Sequence, residues 1–125
     1  MRNKVKENWG VGITFLSKNS NLNVAASRLY YAIFQSVLWY ARSKKHYMPE
    51  PGMPNRVHLD MANIVNAEFP SNADHDKRHK RAFREFHALR LTADYEPDPP
   101  SVEEIKEVIQ DGQFVKDHFL KLAET

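Results

Sequence analysis

A stretch of thirteen residues that is apolar on nearly every helical face, residues 29–41, constrains the fold more than any other part of this sequence. It is interrupted only by Gln35 and Ser36 and is flanked by Arg28 and Arg42. It is too short to span a bilayer, which needs about 20 apolar residues. A helix that is apolar all round must be enclosed by other elements. The pattern therefore predicts the central helix of a bundle in a soluble, cytoplasmic protein with no membrane span.

The rest of the chain also has a helical period, with apolar residues recurring about every 3.6 positions and no segment with strand alternation. Proline-rich segments at residues 47–54 and 96–100 interrupt this pattern. We expect one domain, residues 1–125, folded as an all-α antiparallel up-and-down bundle of four main helices plus one short helix. The expected helices are a first ending near residues 18–21, a second over about 22–42, a third and short one over about 56–68, a fourth over about 73–93, and a last one opening at Ser101.

Several residues are predicted to fix the ends and the packing of these helices. Ser101 and Glu104 have the spacing of a capping box. The predicted caps elsewhere are Asn21 or Asn23 for the second helix, Asn55 for the third and the segment 69–72 for the fourth. We expect Leu59, Ile64 and Val65 to face inward from the third helix, and Gly112 to let a neighbouring helix approach the last one closely.

Composition and motifs exclude several kinds of chemistry. No cysteine is present, so disulfides and thiolate nucleophiles are excluded. The sequence has no glycine-rich phosphate loop, no His-Glu-x-x-His and no Gly-x-Ser-x-Gly, and we expect no cofactor. His75 and His79 have a spacing that can hold a metal, but no third ligand is evident. We expect an exposed polar turn there and no metal site, and we expect His58 to cap a helix or face solvent.

Charge is unevenly distributed along the chain. Residues 1–95 carry fifteen Lys and Arg against eight Asp and Glu, whereas residues 96–125 carry three against eight. A basic cluster in the fourth helix has two interpretations: a phosphate-binding stripe or a solvated helix face. The interleaved Asp74, Asp76 and Glu85 favour the solvated face. The cluster consists of Lys77, Arg78, Lys80, Arg81 and Arg84.

Two short segments place polar side chains on helices that otherwise pattern as buried: residues 27–32, of sequence SRLYYA, and residues 90–95, of sequence RLTADY. Arg and Asp are almost never fully buried without a partner. We therefore expect a shared polar site in which Arg28 lies within salt-bridge distance of Asp94 or is joined to it by one tyrosine or water. On the fourth helix, Phe83, His87, Arg90 and Asp94 share one face. The predicted ligand-binding residues are Arg28, Tyr31, Arg90, Asp94 and Tyr95.

With the helix order, these two segments resemble the HEPN domain family. The resemblance covers about residues 5–122 and includes a final amphipathic helix containing Gln113, Phe114 and Val115. It implies a helical bundle that is commonly dimeric and is often encoded beside a minimal nucleotidyltransferase as a toxin–antitoxin-like pair. Many members are metal-independent ribonucleases whose site is an arginine followed a few residues later by a histidine. Here the matching position after Arg90 is Tyr95, which is far less suited than an imidazole to accept a proton near neutral pH.

Three functional hypotheses follow. The preferred one is a HEPN-like module that binds a nucleotide, RNA or a nucleotidyltransferase partner. The second is a metal-independent endoribonuclease toxin, with His87 or Tyr95 as general base and Arg90 or Arg81 stabilising the pentavalent phosphate. The third is a structural dimerisation bundle held in register by Arg28 and Asp94. We expect a homodimer, and we expect the purified protein to show no robust metal-independent cleavage of RNA.

Overall fold

The computed structural model describes residues 1–53 and 56–125, and the described residues form five helices and no strand. The predicted all-α bundle is confirmed, and the predicted ends of the second, third and fourth helices lie within two residues of the observed ones. Asn55, the predicted cap of the third helix, lies outside the described residues, as does Pro54. The helices are α1 (Arg2–Ser17), α2 (Leu22–Lys44), α3 (Arg56–Glu68), α4 (Asp74–Tyr95) and α5 (Val102–Glu124).

Helix α2 is the centre of the bundle and packs against each of the other four helices. Its apolar side chains between residues 29 and 41 are buried on several faces, and Leu29, Tyr30, Ile33 and Val37 have no exposed surface. The enclosed central helix predicted from the sequence is therefore confirmed. Because α2 is covered from all sides, little of its apolar surface remains for a partner.

The four long helices alternate in direction. Helix α1 lies antiparallel to α2, with Asn8 against Gln35 and Gly12 against Leu29. Helix α4 is antiparallel to α2, and α5 is parallel to α2, with Tyr40 packed on Phe119. The short helix α3 precedes α4 and packs against both α2 and α4. This arrangement brings the start of α3 beside the middle of α2 and the second half of α4.

Two glycines permit close contacts between helices. A Cβ atom at Gly112 would lie 2.5 Å from the ring of Phe86 and 3.1 Å from Ile33, so α5 can approach α2 and α4 only with glycine there. The prediction for Gly112 is confirmed. Gly12 has the same role between α1 and α2, because its Cβ would lie 2.6 Å from Leu29.

The helix starts follow the predictions in part. Ser101 and Glu104 form the predicted capping box at α5. Asn21 stands at the N-cap position of α2, but its backbone is left-handed (φ 48°) and its side chain makes no capping hydrogen bond. Before α4, Ser71 donates to the Asp76 carboxylate through both its backbone N–H and its hydroxyl. The N-cap of α4 is Ala73, one residue beyond the predicted segment 69–72, and it makes no side-chain capping hydrogen bond; Ser71 of that segment stabilises the helix start through Asp76 in the first turn.

The described part of the proline-rich loop, residues 47–53, contains no helix, as predicted. The Tyr47 hydroxyl donates to Asp60 Oδ2 at 2.7 Å and joins the loop to α3. Burial, and then the hydrogen bond to Asp60, raises the pKa of Tyr47 to about 12. In the described chain, no helix is both long and apolar enough to cross a membrane.

The inward face of α3 differs from the prediction. Leu59 is 56% exposed, whereas Met61 and Val65 are fully buried and Ile64 is partly buried. The inward row begins one residue earlier than predicted, with His58, Met61 and Val65 at spacings of three and four. This places His58 between α2 and α4, where the polar residues of both helices are found.

Candidate functional site

Arg90 is the central charged residue of the site and is held by partners from two helices. Its guanidinium donates through Nη2 to the hydroxyl of Tyr31 on α2 at 3.0 Å, and it lies over the Tyr31 ring at 5.5 Å. Its Nε lies 2.9 Å from Asp94 Oδ2, one turn further along α4. Tyr31, Arg90 and Asp94, three of the five predicted ligand-binding residues, are thus brought together.

The contact between Arg90 and Asp94 is electrostatic rather than a well-aligned hydrogen bond. Although the Nε–Oδ2 distance is short, the buried Nε–H does not point at the carboxylate and has no other acceptor among the described residues. Asp94 Oδ1 is 3.4 Å from the hydroxyl of Ser27, which donates to it. The Arg90 side chain is 18% exposed, and its Nη1, which makes no hydrogen bond with any described residue, is not among the buried atoms without a partner and is therefore open to solvent.

A pair of stacked histidines lies beside Arg90. The rings of His58 on α3 and His87 on α4 are nearly parallel, at 10°, with centroids 5.4 Å apart. His58 also stacks on Phe34 at 4.6 Å, and both imidazoles lie within 6 Å of the Tyr30 ring. We call Tyr30, Phe34, His58 and His87 the His58–His87 cluster. Both histidines are half-buried.

The hydroxyl of Tyr30 determines the proton arrangement on His58. The Tyr30 oxygen is 2.6 Å from His58 Nδ1. Burial raises the pKa of Tyr30 far above its ordinary value, so the phenol keeps its proton. Tyr30 has no exposed surface and no other hydrogen-bond partner among the described residues, so we assign its hydroxyl as the donor to Nδ1; the opposite direction would leave a buried O–H without an acceptor. The neutral imidazole of His58 therefore carries its own proton on Nε2, which is a hydrogen-bond donor.

Both histidines of the cluster are kept neutral by their surroundings. Burial lowers the pKa of His58, and the neighbouring His87 and Arg90 lower it further. Burial, then the positive charge of Arg90, lowers the pKa of His87 in the same way. A neutral imidazole can accept a proton or a hydrogen bond, which an imidazolium cannot. His87, the weak catalytic candidate of the sequence, is therefore adjacent to Arg90 and able to accept a proton at neutral pH.

Arg28 is not part of this site, and the predicted Arg28–Asp94 salt bridge does not form. Arg28 instead donates to Asn8 Oδ1 on α1 at 2.9 Å, and Asn8 donates to Gln35 at 3.0 Å. The reason is helical geometry: consecutive residues point about 100° apart. Ser27 and Tyr31, four residues apart, face α4, and Arg28 is turned toward α1.

Tyr95, the fifth predicted binding residue, lies at the last position of α4 with 74% of its side chain exposed. Among the described residues it makes no hydrogen bond with Arg90 or Asp94. Its helical position explains this, because Tyr95 is turned about 100° from Asp94 toward solvent. Arg81, the alternative arginine, pairs with Glu107 at 3.0 Å and with Glu85 at 3.9 Å.

Two members of the site were missed by the reasoning from sequence. His58 was expected to cap a helix or face solvent, and the structure shows this to be wrong. Its spacing of three and seven residues from the buried Met61 and Val65 is a signal that places it on the inward face. Tyr30 lies in the SRLYYA segment but was not separated from the surrounding apolar residues.

A second group of histidines lies at the other end of α4, and we call it the His79–Phe114 cluster. Its residues are Phe69, His79, Phe114 and His118. The His79 ring stacks on Phe114 at 4.0 Å and 8°, and His118 Nε2 contacts Glu68 Oε1 at 2.8 Å. His79 is only 6% exposed, so the expected exposed polar turn at His75 and His79 is wrong for His79. In the described part of the chain, no three His, Asp or Glu side chains form a metal site.

The chain matched none of the family models, curated proteins or solved structures with which it was compared. The chemistry of the site is therefore read from its geometry. One guanidinium with an open Nη1, one imidazole with Nε2–H and one neutral imidazole acceptor lie close together at the junction of α2, α3 and α4. These are groups that recognise a phosphate ester.

Proposed function

We propose that the chain is a HEPN-like helical module that binds a phosphate-bearing ligand, a nucleotide or RNA, at Arg90 and the His58–His87 cluster. The observation that carries this proposal is the position of Arg90. Its guanidinium is fixed by Tyr31 and flanked by Asp94, and its Nη1 makes no hydrogen bond with any described residue and is open to solvent. An arginine whose planar head is already oriented loses less conformational entropy when it binds a phosphate.

The aromatic side chains beside Arg90 suit the rest of a nucleotide. His87 and Tyr31 are half-buried and present part of their rings next to the guanidinium. Nucleobases stack on such rings with about 1–3 kcal/mol per base. Because both histidines are neutral, Arg90 is the positive charge nearest to a ligand bound at the His58–His87 cluster. Binding of a phosphate would favour protonation of His87.

Binding of uridine 3′-monophosphate, measured by calorimetry, tests this proposal. Arg90→Ala removes charge-assisted hydrogen bonds worth about 1.5–3 kcal/mol, which corresponds to an affinity loss of about 10- to 150-fold. Arg28→Ala is the matched control, because it removes an arginine from the neighbouring α1–α2 network and should leave the affinity within about twofold. Equal losses in both variants, or none in either, would contradict the proposal.

The same experiment separates binding from the structural hypothesis. If Arg90 serves only to hold helices together, Arg90→Ala lowers the melting temperature and weakens binding only through unfolding. If it binds the ligand, Arg90→Lys also weakens binding, because an ammonium cannot reproduce the planar fork. Thermal unfolding of Arg90→Lys should stay close to that of the wild type, since the charge next to Asp94 is kept.

A second candidate function, metal-independent RNA cleavage, is favoured by the stacked histidines. The sequence pattern has Tyr95 in place of the base, but the structure places His87 beside Arg90 and His58 beside His87. His87 would accept the 2′-hydroxyl proton as the 2′-oxygen bonds to phosphorus, and Arg90 would stabilise the phosphorane. The P–O5′ bond would then break and the 5′-oxygen would take a proton from water, which gives a 2′,3′-cyclic phosphate and a 5′-hydroxyl end. Cleavage of single-stranded RNA in the presence of EDTA, lost in both Arg90→Ala and His87→Ala, would move this function to first place.

We also propose that the module works with protein partners: a second copy of itself and a minimal nucleotidyltransferase encoded beside it. The support on the described surface is an apolar pair on α4, Leu91 and Tyr95, exposed one turn apart next to the site. Large exposed apolar groups that adjoin one another are typical of interfaces. Light scattering should show a dimer at micromolar concentration, and Leu91→Glu should shift it to the monomer. A monomeric wild type would contradict the homodimer.

A further inference from the structure

A groove lined by positive charge follows the seam between α3 and α4. It has a volume of about 590 Å³ and is lined by Asn66 from α3 and by four basic residues of α4. No carboxylate is among these lining residues. The four are Lys77, Lys80, Arg81 and Arg84. They are the sequence's basic cluster without Arg78, which instead faces Asp111 on α5 at 3.8 Å.

Three of the four cations are not neutralised by a carboxylate. Arg81 is held by Glu107 and Glu85. Lys80 donates to the backbone oxygen of Ser71 at 3.3 Å. Lys77, Lys80 and Arg84 make no ion pair with any residue that the structure describes. The interleaved acids that favoured a solvated face, Asp74 and Asp76 among them, do not line the groove.

The groove leads toward the site at Arg90. Lys80, Arg84 and His87 follow one another at spacings of four and three residues and therefore share a face of α4. From Lys77 to Arg84 the helix rises about 10 Å, and His87 lies about 4.5 Å further along. A ligand lying in the groove would thus continue to the half-buried imidazole of His87 without leaving the helix surface.

We propose that this groove binds the phosphate backbone of a single-stranded polynucleotide whose end or bend occupies the Arg90 site. The inference rests on the proposed function, and it specifies a polymer rather than a free nucleotide as the ligand. A row of unpaired cations next to stacking rings is the arrangement by which proteins hold single strands without reading sequence. An acidic peptide would use the cations but not the half-buried rings of His87 and Tyr31.

The test compares two triple variants with equal loss of charge. Lys77→Gln/Lys80→Gln/Arg84→Gln removes the unpaired cations of the groove. Lys4→Gln/Lys18→Gln/Lys44→Gln removes three exposed lysines from α1, the turn that follows it and the end of α2. Each variant is titrated with an oligouridylate of about twelve nucleotides and separately with uridine 3′-monophosphate, at several salt concentrations.

We expect the groove variant to reduce the magnitude of the log affinity–log salt slope by about 2, since single strands give about 0.7 per neutralised phosphate. Between 50 and 200 mM salt, wild-type affinity should therefore fall about 15- to 20-fold more than that of the groove variant. The control variant should keep a slope close to the wild-type value. Binding of the mononucleotide should be the same in both variants.

Three results would overturn the inference. A groove variant with the slope of the control variant would reject the groove and leave mononucleotide binding at Arg90 intact. A wild type that binds no mononucleotide would reject the proposed function, and the extended ligand with it. Polyglutamate that competes with the oligonucleotide as effectively as RNA itself, with the same loss in the groove variant, would make the groove a docking surface for an acidic protein segment.

Discussion

The two histidine clusters along α4 each combine two histidines with two other aromatic residues but differ in what surrounds the imidazole nitrogens. In the His58–His87 cluster, the Nδ1 of His58 accepts a hydrogen bond from Tyr30, and Arg90 lies nearby. In the His79–Phe114 cluster, His79 stacks on Phe114, and its buried Nδ1 has no partner among the described residues. The contrast is between His58, whose Nδ1 has a polar partner, and His79, whose contacts are mainly aromatic, whereas His118 beside it contacts Glu68 through Nε2.

This difference separates packing from chemistry in a bundle where histidines occur in both roles. A buried polar atom without a partner costs about 1–3 kcal/mol. The Nδ1 of His79 therefore lowers the stability of the fold, and this residue contributes to stability mainly through the packing of its ring. In the His58–His87 cluster the Nδ1 of His58 is hydrogen-bonded, and both histidines are half-buried. Stacking alone therefore does not distinguish the two clusters, whereas the hydrogen bond at His58 Nδ1 and the neighbouring Arg90 do.

The largest expected effect belongs to the His79–Phe114 cluster. Phe69→Ala removes a side chain that contacts the rings of His79, Phe114, His118 and Phe119. Truncation of a buried phenylalanine costs about 3–5 kcal/mol. Urea denaturation should show a loss of that size, while the folded protein keeps its affinity for uridine 3′-monophosphate. A large loss of affinity in the folded state would remove the distinction between the clusters.

The second prediction concerns pH. The pKa values of His58, His79 and His87 are lowered by burial, so the folded state favours their neutral forms. Their contribution to stability is fully present above the unfolded pKa of about 6.5 and is lost as pH falls below it. The free energy of unfolding should therefore decrease from pH 7 to pH 5.

Ligand binding should separate the contributions of His87 and His79 to the pH dependence of stability. A bound phosphate should raise the pKa of His87 and weaken the pH dependence that this residue causes, but it should not change the part that comes from His79. Unfolding of His79→Phe and His87→Phe from pH 5 to 7, with and without uridine 3′-monophosphate, measures the two parts. An effect of ligand on pH dependence that persists in His87→Phe would place the ligand elsewhere.

The third prediction concerns variants in which His79 or His87 is replaced by phenylalanine, whose ring has a similar shape. His79→Phe keeps the stack on Phe114 and removes the unpartnered nitrogen, so stability should be unchanged or rise by about 1 kcal/mol. His87→Phe keeps the stack on His58 and should leave stability within about 1 kcal/mol, but mononucleotide affinity should fall about tenfold through the lost acceptor. The reverse pattern, with affinity lost in His79→Phe alone, would contradict the assignment of roles.

The fold was largely predictable because short segments of the sequence indicate its main elements. The enclosed α2 follows from the apolar run, the start of α5 from Ser101 and Glu104, and the close contact of α5 from Gly112. Leu59 is the exception: its hydrophobicity suggested an inward position, but the row of His58, Met61 and Val65 occupies that face. On short helices, one polar residue in the inward row is enough to shift the predicted face.

The site was only partly predictable because it depends on which of two adjacent helix faces meets which neighbour. Arg90, Asp94 and Tyr31 were grouped correctly, since their spacing sets a common face on α4 and a matching one on α2. The prediction that Arg28 lies with them was wrong. Arg28 is one residue beyond Ser27, and the helical rotation of about 100° between them turns its side chain toward α1. No local signal in the sequence brings His58 to His87, because that contact depends on how α3 packs across α2 and α4.

The smallest expected effect tests the hydrogen bond that most distinguishes the two clusters. Tyr30→Phe removes the hydroxyl that donates to His58 Nδ1 and leaves that nitrogen without its partner. Because the aromatic contacts of Tyr30 with Phe34 and Phe83 are kept, the loss of stability should be about 1 kcal/mol. The larger change should be in the imidazole: without the donor, the His58 proton is no longer restricted to Nε2. Nitrogen-15 NMR of the His58 ring should show a mixture of tautomers in Tyr30→Phe and a single Nε2–H form in the wild type. A single Nε2–H form in both proteins would show that Tyr30 does not set the protonation of His58.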